Sequence, residues 1–101
     1  MEKKDLLKDT IKHIDIKSYD STQLIDAMRD MSFTSRDTAR ATDILMMMVG
    51  EKECTNILTI AGSTSAAGCM QVYVDMVRNK MVDVVVSTGA SIIDMDLFEA
   101  L

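Results

Sequence analysis

The sequence predicts an α/β fold in which helices cover both faces of a parallel sheet. Asn56–Ala61 and Met81–Val86 are nearly continuous apolar runs rich in β-branched residues, which is typical of buried parallel strands. Residues 65–80, between the two runs, carry apolar side chains at helical spacing. These side chains belong to Cys69, Val72, Tyr73, Met76 and Val77. The order strand, loop, helix, strand predicts a βαβ unit, whose crossover we expect to be right-handed.

A short extended segment and a helix are predicted ahead of this unit. His13–Lys17 alternates polar and apolar residues, which favours an extended segment. Asp20–Thr22 supplies N-cap candidates for a helix over residues 22–31. The apolar stripe of this helix consists of Leu24, Ile25, Met28 and Met31.

A second helix is predicted after a break at residues 32–34, and it runs to about Val49. Gly50 favours termination there, because glycine readily adopts the backbone conformation that ends a helix. Met46–Met48 cannot all face one way on a helix, so we expect at least one of them to contact another surface. The predicted buried stripe consists of Ala41, Ile44, Leu45, Met48 and Val49.

A further helix is predicted from about Ser91, with Leu97, Phe98 and Leu101 as its apolar residues. Two buried strands do not make a complete sheet, because the backbone groups at each outer edge need hydrogen-bonding partners. We therefore interpret residues 1–101 as the N-terminal part of a larger α/β domain that other polypeptide completes. A complete small domain is the alternative.

Composition and charge limit the functional classes. The 101 residues are 48% apolar and 27% charged, which is typical of a globular protein and not of a disordered tail. The net charge of −5 argues against binding to the nucleic-acid backbone, which requires a basic face. The sequence has no apolar run that spans a bilayer and no signal-peptide core, so we expect a cytoplasmic protein without nucleic-acid or membrane partners. Cys54 and Cys69 are then expected to be free thiols.

The loop after the first predicted strand, Ala61–Gly68, is a candidate phosphate-binding loop. Its glycines allow close backbone approach, and the hydroxyls of Ser63, Thr64 and Ser65 can donate to phosphate oxygens. The spacing matches neither the GxGxxG fingerprint nor the P-loop, whose lysine is absent. A turn of small residues that allows close packing of helix on strand is the alternative.

The loop after the second predicted strand, Ser87–Ser91, lies at the same edge of the sheet, where open α/β sheets bind ligands. Its small hydroxyl residues can line a cofactor, and Asp94 and Asp96 follow it. Asp94 can accept a hydrogen bond from a ribose hydroxyl or pair with a cationic substrate. A carboxylate that only stabilises the start of a helix is the alternative for Asp94.

Other catalytic and metal chemistries have little support in the sequence. Cys54 and Cys69 lack the spacing of zinc ligands, and Cys69 lies on the apolar face of a predicted helix. His13 is the only histidine, so any Ser-His-Asp triad would depend on it. We predict neither a metal site nor a self-contained catalytic centre in this chain.

Five segments resemble deoxyhypusine synthase and its bacterial and archaeal relatives. The most specific is Asn79–Ala90, which is similar to a strand and loop of the family almost residue for residue. Ile60–Gly68 resembles the family's first strand–loop–helix, and Phe33–Ala41 resembles one of its helices. His13–Ile16 and Leu24–Met28 resemble the amino-terminal segment of prokaryotic-type members. The resemblance extends along essentially the whole chain, but it covers only roughly the first third of a family chain.

The resemblance implies a Rossmann-like parallel sheet with flanking helices, present here only as its N-terminal part. Residues 1–101 would be completed by a separate C-terminal polypeptide, in a tetramer of such pairs that binds NAD and spermidine at dimer interfaces. Family members oxidise and cleave spermidine with NAD and pass its aminobutyl group, through an imine-forming enzyme lysine, to an acceptor. The acceptor is a lysine of a translation factor precursor, or a polyamine in homospermidine-forming relatives. That enzyme lysine lies in the carboxyl-terminal part, so the resemblance assigns no catalytic residue to this chain.

By position, the resemblance assigns NAD contacts to both loops. In the first loop these are Gly62, Ser63, Thr64, Ser65 and Ala66. In the second loop they are Thr88, Gly89 and Ala90. Asp94 matches an acidic position that contacts both NAD and spermidine, whereas Ile93 stands where eukaryotic members have another carboxylate.

The leading hypothesis is therefore the N-terminal chain of a deoxyhypusine synthase-like, NAD-dependent transferase that is inactive alone. A non-catalytic subunit that regulates a full-length synthase is one alternative, and a homospermidine synthase-type relative is another. An independent small nucleotide-binding module is the remaining alternative.

Overall fold

The computed structural model of the chain describes residues 11–93 as an α/β arrangement with a two-stranded parallel sheet. Its elements are a 3₁₀ turn (Ile16–Ser18), helix α1 (Thr22–Met28), helix α2 (Phe33–Gly50), strand β1 (Ile57–Ile60), a π-helical turn (Ser65–Cys69), helix α3 (Met70–Arg78) and strand β2 (Val84–Ser87). Residues 89–93 are also helical. None of the described helices is long and apolar enough to cross a membrane.

The predicted parallel strand pair is confirmed. β1 and β2 pair over four residues each, with Ile60 opposite Ser87 at the carboxyl ends. Asn56 and Asp83 close the other end of the pair through two hydrogen bonds. The Asp83 backbone N–H donates to the Asn56 carbonyl at 2.8 Å, and the Asp83 carboxylate accepts from the Asn56 backbone N–H at 2.8 Å. Because Asn56 is buried, these bonds satisfy backbone groups that water does not reach, and they fix the register.

The helix between the strands is interrupted, which corrects the prediction of one continuous helix over residues 65–80. A π-helical turn at Ser65–Cys69 precedes the regular helix α3, and the backbone leaves helical geometry at Gly68, whose φ is +106°. The Ile14 backbone N–H donates to the Gly68 carbonyl at 3.0 Å. The helix is therefore interrupted where it contacts a segment more than fifty residues away in sequence. Helical periodicity in residues 65–80 cannot predict such a contact.

The amino-terminal segment also differs from its prediction. His13–Lys17 was expected to be extended, but Ile16–Ser18 forms a single 3₁₀ turn. The Asp15 carboxylate caps this turn, because it accepts from the backbone N–H of Lys17 at 3.1 Å and from the hydroxyl of Ser18 at 3.3 Å. This local side-chain bonding overrides the alternating pattern of polar and apolar residues.

Helices α1 and α2 are linked by one charged cluster. The guanidinium of Arg29 donates to Asp26 in its own turn and, through Nε at 3.1 Å, to Asp43 on α2. These hydrogen bonds raise the pKa of Arg29, and the bond from Arg29 lowers the pKa of the Asp43 carboxyl. The cluster is exposed, so it contributes little to stability. α1 ends at Met28, three residues earlier than the predicted end at Met31.

The predicted helix after residues 32–34 is confirmed as α2, but its predicted buried stripe is only partly buried. Ala39 is the one fully buried apolar residue in the described part of the chain, whereas Ala41 and Ile44 are exposed. The prediction for these two residues is wrong, because no described element covers that side of α2. The half-buried members of the stripe are Leu45, Met48 and Val49. Met46 and Met47 are exposed.

The strands are less buried than their apolar sequences predict. Along β1, exposed and half-buried residues alternate, so only one face of that strand is covered. On β2, Val84, Val85 and Val86 are each between 43% and 54% exposed. Complete burial of a valine side chain contributes about 1.5–3 kcal/mol. Much of the stabilisation that these strands can supply is therefore not realised by the contacts within residues 11–93.

We expect the isolated 101-residue chain not to unfold cooperatively as a monomer, because its strands keep exposed apolar faces and its fully buried core is very small. The check is a thermal scan by circular dichroism, with the mass of the species determined by sedimentation. A broad transition, or self-association, is the expected result. A sharp transition of a monomer would contradict it.

Candidate functional site

Two loops meet at the carboxyl ends of β1 and β2, where ligands bind in open α/β sheets. The backbone N–H of Thr88 donates to the carbonyl of Ile60 at 3.2 Å, which continues the strand pairing into the second loop. The Ser65 hydroxyl donates to the carbonyl of Ser91 at 2.6 Å. Both serines are buried, so this bond is shielded from water and holds the two loops together.

The first loop has an unusual backbone. Gly62 and Ser63 have φ values of +87° and +52°, and Thr64 follows in the right-handed helical region. Only the step from Ser63 to Thr64 alternates between the left-handed and right-handed regions, and such a step turns successive backbone N–H groups toward one side, as in anion-binding backbone concavities. A Cβ atom on Gly62 would meet no atom of residues 11–93 within 4 Å, so the requirement for glycine at this position is its left-handed backbone.

Tyr73 of α3 contacts the first loop through its hydroxyl, which forms a short hydrogen bond of 2.5 Å with the hydroxyl of Thr64. The bond fixes the orientation of the Thr64 side chain beside the π-helical turn. Neither oxygen is fully committed by one hydrogen bond, because each hydroxyl has one donor and two acceptor sites.

The second loop turns directly into a helix. Thr88, Gly89 and Ala90 are exposed, and residues 89–93 are helical, so this helix begins about two residues earlier than predicted. The Ser91 N–H donates to the Thr88 carbonyl at 3.1 Å. A Cβ atom on Gly89 would lie 3.7 Å from the Ile93 side chain, which is an ordinary contact. The packing of this chain therefore leaves room for a side chain at Gly89.

An open apolar cavity of about 330 Å³ adjoins the two loops. It lies between α3, the ends of the strands and the helix at residues 89–93. Its lining includes Tyr73, Val77, Val85, Ser91 and Ile92. Cavities of this size and polarity accommodate apolar side chains or the flat part of a small ligand.

The comparisons with known proteins bear on the same part of the chain. The family profile for deoxyhypusine synthase matches residues 23–101, which include both strands and both loops. The chain belongs to the deoxyhypusine synthase family.

Curated relatives of the chain carry the family name. A deoxyhypusine synthase-like protein of Caulobacter vibrioides is 60% identical over 100 residues, which cover 99% of this chain and 27% of the relative. One of Chlorobaculum tepidum is 50% identical over 101 residues, which cover 100% and 29%. The probable deoxyhypusine synthase 2 of Methanosarcina acetivorans is 33% identical over 88 residues, which cover 87% and 25%. This deoxyhypusine synthase-family chain thus spans less than a third of the length of these relatives. No solved structure matches it significantly.

The structure brings eight of the nine predicted site residues of this family member to one edge of the sheet. Gly62, Ser63, Thr64, Ser65 and Ala66 lie in the first loop and the π-helical turn, and Thr88, Gly89 and Ala90 lie in the second loop. Asp94 and Asp96 lie outside the described residues. Ile93 is exposed at the end of the described chain.

The eight residues do not offer equivalent surfaces. Ser65 is fully buried, and its hydroxyl is used by the bond to Ser91, so Ser65 joins the loops. The exposed or half-buried members are the ones that a ligand can reach. Tyr73 was expected to be part of the apolar helix face, and its contact with Thr64 was not predicted. The sequence feature that could have predicted this contact is a tyrosine hydroxyl on an otherwise apolar helix face, in the helix that directly follows a loop rich in serine and threonine.

The cysteines and acidic side chains of the described chain form no second site. Cys54 and Cys69 are free and half-buried. Within residues 11–93, no group of three or more potential ligands is placed to hold a metal ion. The described part of the candidate site is therefore composed of backbone amides, hydroxyls and apolar side chains, which are groups suited to binding and not to acid–base or metal chemistry.

Ser65→Ala is expected to loosen the connection between the loops, because the buried Ser91 carbonyl loses its donor. The free energy of local opening at residues 88–91 should fall by about 1–3 kcal/mol. Native-state amide hydrogen exchange measures this, in the assembly in which the chain is stably folded. Ser32→Ala is the matched control, since Ser32 precedes α2 without a side-chain capping bond, and it should change the opening free energy little. Equal effects of both variants would contradict the assignment of Ser65.

Proposed function

We propose that this chain is the N-terminal part of a deoxyhypusine synthase-like, NAD-dependent transferase. Its reaction would move the aminobutyl group of spermidine to a lysine of a translation factor precursor. Membership of the deoxyhypusine synthase family supports the reaction class. The observation that carries the proposal for this chain is the buried Ser65–Ser91 hydrogen bond, since it joins two small-residue loops at the ligand-binding edge of a parallel sheet.

The fold that this proposal requires is a Rossmann-like sheet with more than two strands. Residues 1–101 would be its N-terminal part, and a separate C-terminal polypeptide would complete it. The exposed valines of β2 support further strands or helices beyond those described, because apolar strand faces are normally covered in parallel sheets. The relatives supply a second argument, since this chain accounts for only 25–29% of the length of those compared above. A tetramer of such pairs is the proposed assembly.

NAD is the proposed cofactor, and the two loops are its proposed contacts. The left-handed Ser63 and the right-handed Thr64 would turn their backbone N–H groups toward one side, which suits the diphosphate. The second loop exposes the small residues Thr88, Gly89 and Ala90 at the start of a helix, which suits close approach of the nucleotide to the backbone. When bound, NAD supplies the hydride acceptor. This chain's own residues bind and orient it, while the lysine that carries the aminobutyl group would come from the C-terminal polypeptide.

The acceptor of the aminobutyl group is the least constrained part of the proposal. Ile93 stands beside the second loop with its side chain 66% exposed, at a position where the resemblance places a carboxylate in eukaryotic members. Loss of one carboxylate changes how a polycation is held, and this favours keeping a homospermidine synthase-type reaction as the second candidate. Assays of the complete assembly with a translation factor precursor and with a polyamine acceptor separate the two.

The experiment that tests the proposal is purification of the complete assembly, followed by a mass measurement and an assay for NAD-dependent cleavage of spermidine. A C-terminal family polypeptide that travels with this chain, together with NAD-dependent cleavage, is the expected result. Copurification with a full-length synthase that keeps its activity without this chain would favour a regulatory subunit instead.

Gly89→Val is expected to abolish NAD binding while leaving the assembly intact. The Cβ atom of a valine there would meet only an ordinary contact with Ile93 among the described residues, so loss of affinity would report on the space for the cofactor. Gly50→Val is the control, because a side chain at Gly50 also meets open space but lies far along the chain from the loops. Calorimetric titration with NAD and a sedimentation profile give the two readouts. Unchanged NAD affinity in Gly89→Val would remove the second loop from the site.

Asp94→Asn is expected to weaken apparent spermidine affinity by about tenfold to a hundredfold, since 1.4 kcal/mol corresponds to a factor of ten. The reason is that a charge-assisted hydrogen bond contributes about 1.5–3 kcal/mol, and Ile93 supplies no such bond. Asp96→Asn is the matched control, because the resemblance does not place Asp96 in the pocket. Steady-state kinetics at saturating NAD compare the two variants. Equal, small effects would leave Asp94 as a carboxylate that stabilises the start of a helix.

A further inference from the structure

The amino-terminal residues 11–18, here called the strap, lie against the π-helical turn and α3. The strap meets Gly68 in the π-helical turn and Asp75 in α3. The Ile14 N–H donates to the Gly68 carbonyl at 3.0 Å, and a Cβ atom on Gly68 would lie 3.2 Å from the Lys12 carbonyl oxygen. Lys17 Nζ donates to Asp75 Oδ1 at 2.9 Å. The strap therefore contacts both the irregular turn at Gly68 and the regular helix that follows it.

The ion pair at the far end of the strap is asymmetric in burial. Asp75 is only 5% exposed, whereas the Lys17 side chain is more than half exposed. A carboxylate removed from water needs compensating donors, and Asp75 Oδ1 receives them from Lys17 and from Gln71 at 3.2 Å, whereas Oδ2 has no hydrogen-bond partner among the described residues. The hydrogen bond from Lys17 lowers the pKa of the Asp75 carboxyl, and the same bond raises the pKa of Lys17. Both groups are consequently charged at neutral pH.

The other end of the strap contacts the π-helical turn that follows the first loop. In this turn the Cys69 N–H donates to the Thr64 carbonyl at 3.1 Å, five residues back, which makes the turn wider than an α-helical one. Gly68 lies inside it with a left-handed φ, and it is buried under the strap. A glycine is required at this position on two counts, namely its backbone conformation and the 3.2 Å approach of Lys12.

We propose that the strap is a positioning element for the first loop. The Lys17–Asp75 ion pair holds the strap on α3, the strap keeps the wide turn at Gly68, and the wide turn sets the direction of the backbone N–H groups at residues 62–64. This inference rests on the proposed function in one respect, since it assigns NAD as the ligand that those groups meet. Lys17 and Asp75 are positioning residues, because neither contacts the loop that binds the ligand.

The test uses four variants of the complete assembly. Lys17→Met removes the charge and keeps the apolar stem, and Lys17→Arg keeps the charge as the conservative rescue. The double variant Lys17→Met/Asp75→Asn removes the pair without leaving a buried charge unpaired, so it remains informative if the single variant fails to fold. Lys52→Met is the matched control, since Lys52 is exposed in the turn after α2.

Amide exchange without cofactor reports on the loop, and NAD titration with steady-state kinetics reports on its function. In Lys17→Met and in the double variant, exchange at residues 63–69 should accelerate by about threefold to tenfold, and the NAD dissociation constant should rise by about the same factor. kcat at saturating NAD should stay within about twofold of the unsubstituted protein. The reason is that the strap affects how tightly NAD binds, and a saturating NAD concentration compensates for weaker binding. Lys17→Arg and Lys52→Met should behave as the unsubstituted protein.

Unchanged exchange at residues 63–69 in the double variant would overturn the inference. Uniform acceleration that extends through α1 and α2 would also overturn it, because it would show a merely structural role. Absence of NAD binding by the unsubstituted assembly would overturn the proposed cofactor, and the exchange data would then decide the role of the strap by themselves.

Discussion

Four parallel residue pairs, from Ile57 opposite Val84 to Ile60 opposite Ser87, determine where the two candidate loops lie. Parallel strands in register end at the same edge, so the loops that follow them emerge side by side. The Thr88–Ile60 hydrogen bond extends this pairing by one step beyond the strands. A slip of one residue would turn the side chains of β2 to the opposite face and separate Ser65 from the Ser91 carbonyl. The Asn56–Asp83 bonds at the opposite end oppose such a slip, since they satisfy a buried residue in this register only.

The same strand pair leaves apolar surface uncovered within residues 11–93. A parallel strand has no hairpin partner and depends on helices and further strands to cover its faces and edges. In the described chain one face of β1 is covered, whereas three consecutive valines of β2 remain about half exposed. The cavity beside α3 is apolar and open for the same reason. The residues that cover these surfaces must come from protein beyond residues 11–93, and the greater length of the relatives is consistent with this requirement.

Sequence patterns predicted the elements that depend on local order and missed the features that depend on distant contacts. The two strands, their parallel pairing, and helix α2 with its end at Gly50 follow from apolar periodicity and glycine placement. The break at Gly68 does not, because it accompanies a contact with Ile14, which is far away in sequence. The prediction that Ala41 and Ile44 are buried was wrong, because periodicity identifies the apolar face of a helix but not whether another element packs against it. For the site, the two loops were predicted as a pair, but the separate role of Ser65 depends on a carbonyl of Ser91 that no motif specifies.

For each glycine of the two loops, the structure shows whether the fold of the described chain itself requires a glycine. Gly62 is required by its left-handed backbone, although a side chain there would meet open space within this chain. Gly68 is required both by its backbone and by the close approach of the strap. Gly89 has an ordinary helical environment and room for a Cβ atom, so the described chain itself gives no reason for a glycine there. Glycine costs helix stability relative to alanine, and no contact within residues 11–93 requires it at this exposed start of a helix. The proposed cofactor would account for Gly89, since Gly89 lies beside the first loop at the edge where open α/β sheets bind ligands.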